Sequence, residues 1–256
     1  MKLIQSRENP FYKELVKLAG SARQRNKAGQ TLLDGAHLLS AYLDAGCRPL
    51  NVLMSLSAND ECSELVSRLN DVPVTQLDDK LFAELSELKT TTGIMALIEI
   101  PEPPTAAASF ALLLEDIQDP GNLGSMLRSA AAAGCDAVFL SKGCADAWSP
   151  RVLRAAMGGH FCLAIYESQN LQSVARTFSG MLLATSLQAT RTLYECDLTG
   201  SIAFMMGNEG AGLSDELLAL ATHPLTIPMP GKVESLNVAA ATAICLFETV
   251  RQRISC

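Results

Sequence analysis

The chain has few aromatic residues, 5% of 256, with a single Trp and three His. His37, His160 and His223 stand far apart with no ligand spacing. That speaks against a histidine-built metal centre, so they read as structural and no metal is expected. The eight cysteines include no two that lie two or three residues apart, which excludes a zinc knuckle or a thioredoxin-like pair. Most sit among apolar neighbours and read as small hydrophobes. No apolar run approaches the roughly 20 residues of a membrane span. The longest, from Ala239 to Phe247, is interrupted by Thr242 and reads as a buried helix. The opening MKLIQSRENP lacks a signal-peptide apolar region, so a reduced cytoplasmic protein is the expectation. Neither GxxxxGK[ST] nor GxGxxG after a first strand occurs.

Positive charge is also scarce. Lys and Arg number 20 against 27 Asp and Glu, a net −7, which excludes a uniformly basic nucleic-acid coat protein. The distribution is uneven. Residues 1–30 carry seven Lys/Arg against Glu8 and Glu14, residues 31–104 four against twelve, and residues 105–256 nine against thirteen. The one basic segment is the N-terminus, where Arg23, Arg25 and Lys27 follow Lys13 and Lys17. A charge run is commonly a solvated face, but beside an acidic remainder it is also a candidate RNA contact.

What the chain does have is apolar material, 48%, enough for sizeable cores. Pro101, Pro103 and Pro104 can extend neither a helix nor a central strand, so 101–109 reads as a linker. It separates a smaller N-terminal α/β domain, 1–100, from a domain at 110–256. In the first, Asn9-Pro10 reads as a helix start. In the second, apolar runs of strand length occur at Phe110–Leu114, Ala137–Leu140, Phe161–Ile165, Met181–Thr185, Ile202–Met206 and Pro224–Ile227. Helical stretches separate most of them, notably Leu123–Ala133, Pro150–Met157, Leu171–Phe178 and Leu213–Ala221, and a last helix runs from about Leu236 to Arg253. Continuous apolar strands alternating with helices predict a mostly parallel six-stranded sheet covered on both faces.

Three clusters each follow a strand, where open α/β sheets bind ligands. The first runs from Glu115 to Arg128: Pro120-Gly121 reads as a turn, with Asn122 placed to cap the next helix. Arg128 lies about one and two-thirds turns further on, where a guanidinium suits a phosphate oxygen. The second, Gly207-Asn208-Glu209-Gly210-Ala211-Gly212-Leu213, combines close backbone approach with a carboxylate. The third, Ile227 to Asn237, is a Pro/Gly-rich loop running into Ser235 and Asn237 before a small-residue helix. Each alone also fits a capped helix or a plain connection. Ser149-Pro150-Arg151-Val152-Leu153-Arg154 starts a helix whose arginines suit either phosphate or solvent, and Trp148 reads as packing.

Taken together, Asn122-x-Gly124-x-x-x-Arg128-x-Ala130, Gly207-Asn208-Glu209-Gly210-x-Gly212-Leu213 and Ile227-Pro228-Met229-x-Gly231-x-Val233-x-Ser235-Leu236-Asn237-Val238 resemble the three motifs of the SpoU/TrmH family of the SPOUT superfamily of RNA methyltransferases. Leu33-Asp34-Gly35 and the helix after it resemble the ribosomal-protein-like substrate-binding domain of many members, with Asp34 where Glu is usual. The resemblance implies methyl transfer from S-adenosylmethionine to a ribose 2′-hydroxyl of RNA, a C-terminal trefoil knot and a homodimer. It puts Asn122, Arg128, Glu209, Ser235 and Asn237 on catalytic positions. It puts Gly207, Ile227 and Leu236 on cofactor-binding ones, with Ser186 and Leu187 lining the adenosine pocket. Arg23, Arg25, Lys27 and Arg154 are the expected RNA contacts. Arg is effectively always protonated, so Arg128 is expected to anchor a phosphate rather than act as a free base. Ribosomal RNA is the favoured substrate, because a dedicated N-terminal module is present; transfer RNA is the alternative. A non-catalytic RNA-binding protein on the same fold would fail to bind S-adenosylmethionine. A small-molecule α/β enzyme is opposed by the missing nucleotide fingerprints.

Overall fold

A computed structural model describes residues 2–58, 60–67, 69, 71–88, 91–186 and 188–255. The chain forms two compact units, Met1–Glu102 with Trp148–Phe161, and Pro103–Ala147 with Cys162–Cys256. Segment 148–161, which sequence alone assigns to the second domain, therefore packs with the first. Thr31 Oγ1 donates to the Trp148 carbonyl at 2.7 Å, and Trp148 is buried.

The first unit follows the chain through β1 (Lys2–Ile4), α1 (Pro10–Gly20), α2 (Ala22–Ala28), β2 (Gln30–Asp34), α3 (Ala36–Asp44), β3 (Asn51–Ser55), α4 (Asp60–Ser67), β4 (Val74–Leu77), α5 (Asp79–Leu85) and β5 (Ile94–Glu99). Asn9 caps α1 by accepting from Phe11 and Tyr12 N–H, and Pro10 takes the first position, where its missing N–H costs nothing. The mixed sheet runs β1-β4-β3-β5-β2, antiparallel only where β5 meets β2 and β3. Tyr12, Leu15, Leu53, Leu77 and Phe82 fill one core. β1 is too short, at three residues, to show an alternating pattern. The basic stretch is helix α2, capped by Ser21 and stopped by Gly29 in the left-handed region. That helix corrects one expectation. Arg25 is 4% exposed and donates to the carbonyls of Leu18 and Ala19 at 2.5 and 3.1 Å, so it ties α2 to the end of α1 and is no surface RNA contact. Arg23 and Lys27 are exposed.

The second unit contains β6 (Phe110–Leu114) and α6 (Pro120–Ala133), then β7 (Ala137–Leu140). The chain next passes through α7 (Pro150–Ala156) of the first unit. It returns with β8 (Ala164–Tyr166), α8 (Leu171–Thr177), β9 (Met181–Thr185), β10 (Ile202–Met206), α9 (Asp215–Leu218), β11 (His223–Leu225) and α10 (Val238–Ile254). Its sheet is six-stranded and wholly parallel, in the order β11-β9-β10-β6-β7-β8. β6 and β10 pair from Phe110 with Ile202 to Leu114 with Met206, and every residue of both is buried. This explains their unbroken apolar sequence. The expected strand 161–165 shifts to 164–166. Met157 and Gly158 stop α7 at positive φ, Gly159–Cys162 form a 3-10 turn, and Phe161 packs on Tyr42 of the first unit, ring centroids 5.1 Å apart. The expected helix 213–221 shortens because Ser214 is its N-cap. Among the described residues no helix is long and apolar enough to cross a membrane.

Candidate cofactor and active site

Three loops leave the carboxyl ends of β9, β10 and β11 and wall a cavity of about 170 Å³. Ser186, Gly207, Glu209, Ile227, Ser235 and Leu236 are all on its wall, with Leu213, Leu225, Met229 and Val238 supplying apolar surface. Glu209, Ser235 and Leu236 are exposed, so a ligand seated here reaches solvent along them. Position 207 needs glycine. A β-carbon there would lie 2.1 Å from the Gly212 carbonyl carbon and 2.3 Å from Leu213 N.

The loop after β10 is held from several sides. Asn208 exchanges backbone hydrogen bonds with Gly212, at 3.0 and 2.9 Å. Its side-chain oxygen accepts from Gly210 and Ala211 N–H, and its amide donates to the Asp116 carbonyl at 2.9 Å. Glu115, just past β6, accepts from Ser214 N–H and Oγ at 2.7 and 2.8 Å. Asn208 and Glu115 thus position the loop, and neither was singled out from sequence. The signal for Asn208 was its place between glycines, where Asn bonds its own backbone two or three residues on. Asp116 has φ 55° and is pinned by Ser141, whose hydroxyl accepts from its N–H and donates to Oδ1. Nearby, Cys144 Sγ donates to the Leu114 carbonyl, and burial raises its thiol pKa, so it stays protonated and structural.

The loops after β10 and β11 meet through one side chain. Asn122 Nδ2 donates to Glu209 Oε1 at 2.7 Å, and Asn237 Nδ2 donates to Asn122 Oδ1 at 3.0 Å. Asn237 Oδ1 then accepts from Ala239 and Ala240 N–H, capping α10. The polarity of this relay is set at both ends. An ionised carboxylate only accepts and a helix N–H only donates, so each Asn amide has one orientation. Asn122 is not the cap of α6, as its sequence position suggests. Asp119 is the cap, accepting from Asn122 N–H at 2.7 Å, and Asn122 lies one turn inside, its amide free for the relay. α10 packs on α6, where Gly124 and Ala130 of α6 and Thr242 and Cys245 of α10 are buried. Burial pushes the Cys245 thiol up to about 12.

The structure therefore unites Asn122, Glu209 and Asn237, and adds Ser235, Ser186, Gly207, Ile227 and Leu236 around one cavity. Arg128 stands apart from the relay, exposed on α6 in a stripe with Gly121, Ser125 and Ala132. Leu187 lies outside the described residues. Arg154 is exposed on α7 in the first unit. Among the described residues no group of three or more His, Cys, Asp or Glu is placed to hold a metal ion.

A parallel sheet whose strand-end loops wall a largely apolar cavity is the layout of an α/β protein that binds a ligand at the carboxyl ends of its strands. Residues 109–247 match the SpoU rRNA Methylase family, and residues 9–96 match the MRM3-like substrate binding domain. An uncharacterized tRNA/rRNA methyltransferase of Synechocystis is 35% identical, over 98% of this chain and 94% of its own. The 23S rRNA (guanosine(2553)-2′-O)-methyltransferase of Bacillus subtilis is 34% identical, over 96% and 98%. In structure, the SpoU methyltransferase AviRb of Streptomyces viridochromogenes, crystallised with S-adenosylmethionine, superposes with TM-score 0.85 at 26% identity, covering 97% of this chain and all of that one. The chain belongs to the SpoU rRNA methylase family.

The glycine requirement at 207 gives a direct test. Gly207→Ala is expected to displace loop 207–213 and to weaken S-adenosylmethionine binding in isothermal titration. Affinity equal to that of the unaltered chain would contradict this assignment.

Proposed function

We propose that this methyltransferase transfers a methyl group from S-adenosylmethionine to a ribose 2′-hydroxyl of ribosomal RNA. The observation that carries the reading is the relay from Glu209 through Asn122 to Asn237, which ties two strand-end loops beside a cavity whose wall requires glycine at 207. The lining of that cavity suits the cofactor: Leu213, Leu225 and Val238 offer apolar surface to a flat ring, and Gly207, Ile227, Leu236 and Ser186 would hold it. Leu187 is proposed beside them. When bound, the cofactor supplies an activated methyl group on a sulfonium.

The chain's own residues must bring the hydroxyl to that methyl. Holding reacting atoms about 3 Å apart is worth several kcal/mol. Arg128, exposed and without an ion-pair partner among the described residues, is proposed to grip the adjacent phosphate. Ser235 and Asn237 orient the sugar, and Glu209 fixes the amide of Asn122. Arg23, Lys27 and Arg154 are proposed phosphate contacts. Full-length relatives bearing ribosomal-RNA names, and the match of residues 9–96 to a substrate-binding domain, favour ribosomal over transfer RNA.

A cytoplasmic location, a trefoil knot and a homodimer belong to the same proposal. β10 lying between β9 and β6 supports the knot, and Phe247 and Ile254, exposed at 48% and 79% on α10, support the dimer. Sedimentation at the mass of one 27.3 kDa chain would overturn the dimer.

The whole reading is tested by supplying labelled S-adenosylmethionine and RNA from cells lacking the gene. Label is expected at a ribose of ribosomal RNA; label confined to transfer RNA would overturn the substrate. In the same assay Arg128→Ala is expected to abolish transfer while cofactor affinity stays within a few-fold. Arg23→Ala with Lys27→Ala is expected to weaken RNA binding and to lower its salt slope by about one to two.

A further inference from the structure

The first unit holds a second, larger cavity, of about 600 Å³, well inside the range of roughly 300–1,000 Å³ typical of small-ligand sites. It opens at the carboxyl ends of β2 and β3, whose last residues are Asp34 and Ser55. Both present polar atoms that are buried and have no hydrogen-bond partner: Asp34 Oδ1 and Ser55 Oγ. Ser55 is 3% exposed. The carboxylate of Asp34 is fixed by Ser86 Oγ, which donates to Oδ2 at 2.6 Å, and by the backbone N–H of Glu87, while Oδ1 has no partner within hydrogen-bond geometry. Gly93 borders the cavity at φ +83°, and a β-carbon there would stand 3.1 Å from Ser55 Oγ.

An unsatisfied buried acceptor costs about 1–3 kcal/mol, and two in one cavity are unusual. A ligand bringing N–H donors removes that cost, whereas an anion is repelled by Asp34. Around them the cavity offers donors as well. α3 begins at Gly35, φ 110°, with no side-chain cap, so its first amides are open. Arg154 lines the cavity and is exposed, within electrostatic reach of Asp34. Unpartnered oxygens on two lining residues, amide donors beside them and a cation on the wall suit a nucleotide held base-inward.

We infer that this cavity receives an unpaired RNA base bearing an exocyclic amino group, with the amino N–H donated to Asp34 Oδ1 and Ser55 Oγ and the attached phosphate facing Arg154. RNA sequence is commonly read from unstacked bases by hydrogen bonds to their edges, and carboxylates accept from the amino group of cytosine. Uracil puts a carbonyl oxygen where cytosine has that amino group, so the same carboxylate rejects it. The inference rests on RNA being the substrate and adds a site of base selection remote in sequence from the methyl-transfer motifs.

The test is isothermal titration of the full chain with hexacytidylate and hexauridylate. It is run at pH 8, because burial raises the Asp34 carboxyl above its ordinary pKa and the ionised form is the acceptor. Hexacytidylate is expected to bind roughly tenfold more tightly. Asp34→Asn should erase or reverse that preference, because an amide can donate to the uracil carbonyl. Ser55→Ala should reduce it, and it serves should the first variant not fold. Equal affinity for the two oligomers, or a preference unchanged in both variants, would overturn the inference. Titrating S-adenosylmethionine into the same preparations keeps the two readings apart. Cofactor binding without base preference overturns only the Asp34 site, while base preference without cofactor binding supports it and overturns the methyltransferase reading.

Discussion

The second unit depends on a single side-chain amide. Asn122 donates through Nδ2 and accepts at Oδ1 in a polarity it cannot choose, because the Glu209 carboxylate accepts and the first amides of α10 can only donate, through Asn237. One residue one turn inside α6 therefore joins the loop after β10 to the loop that leads into α10. Each bond is worth about 0.5–1.5 kcal/mol, modest alone. Together they decide whether the glycine-rich loop 207–213 and the segment leading into α10 stand as walls or as loose connections. The packing of α10 on α6 brings Asn237 within reach of Asn122.

Behind that relay stands the sheet. β6 and β10 are buried along their whole length, so their ends are held by a close-packed core. Glu115 and Asp116 follow β6 directly and grip the neighbouring loop at Ser214 and Asn208. The rigid layer thus aims the loops, and the loops carry the chemistry. The first unit repeats the device, with Asp34 and Ser55 ending β2 and β3, the two strands that flank β5, beside an open cavity.

Much of this was legible in the residues. The wholly buried strands Phe110–Leu114 and Ile202–Met206 announce themselves as unbroken apolar runs, and they and Met181–Thr185 match the structure residue for residue. Asn9-Pro10 and Asn237 cap helices by local chemistry that sequence displays. The elements that escaped are those whose signal is tertiary. Phe161 looks like a strand residue but packs on Tyr42, and β1 is three residues long. Arg25 reads as part of a basic surface, yet its guanidinium is consumed by the end of α1. At the site, the motif residues were visible, but Asp119 displaced Asn122 as helix cap, and that displacement frees Asn122 for the relay. Glu115 could not be found because its partner, Ser214, is 99 residues away in sequence.

Amide hydrogen exchange on the full chain with Asn122→Ala tests the central claim most directly. Alanine is well accepted inside a helix, so α6 should persist. The account predicts faster exchange in both loops, 207–213 and 231–237, with β10 protected as before. Unchanged exchange in those loops would show that they hold their places without Asn122 and would contradict the account.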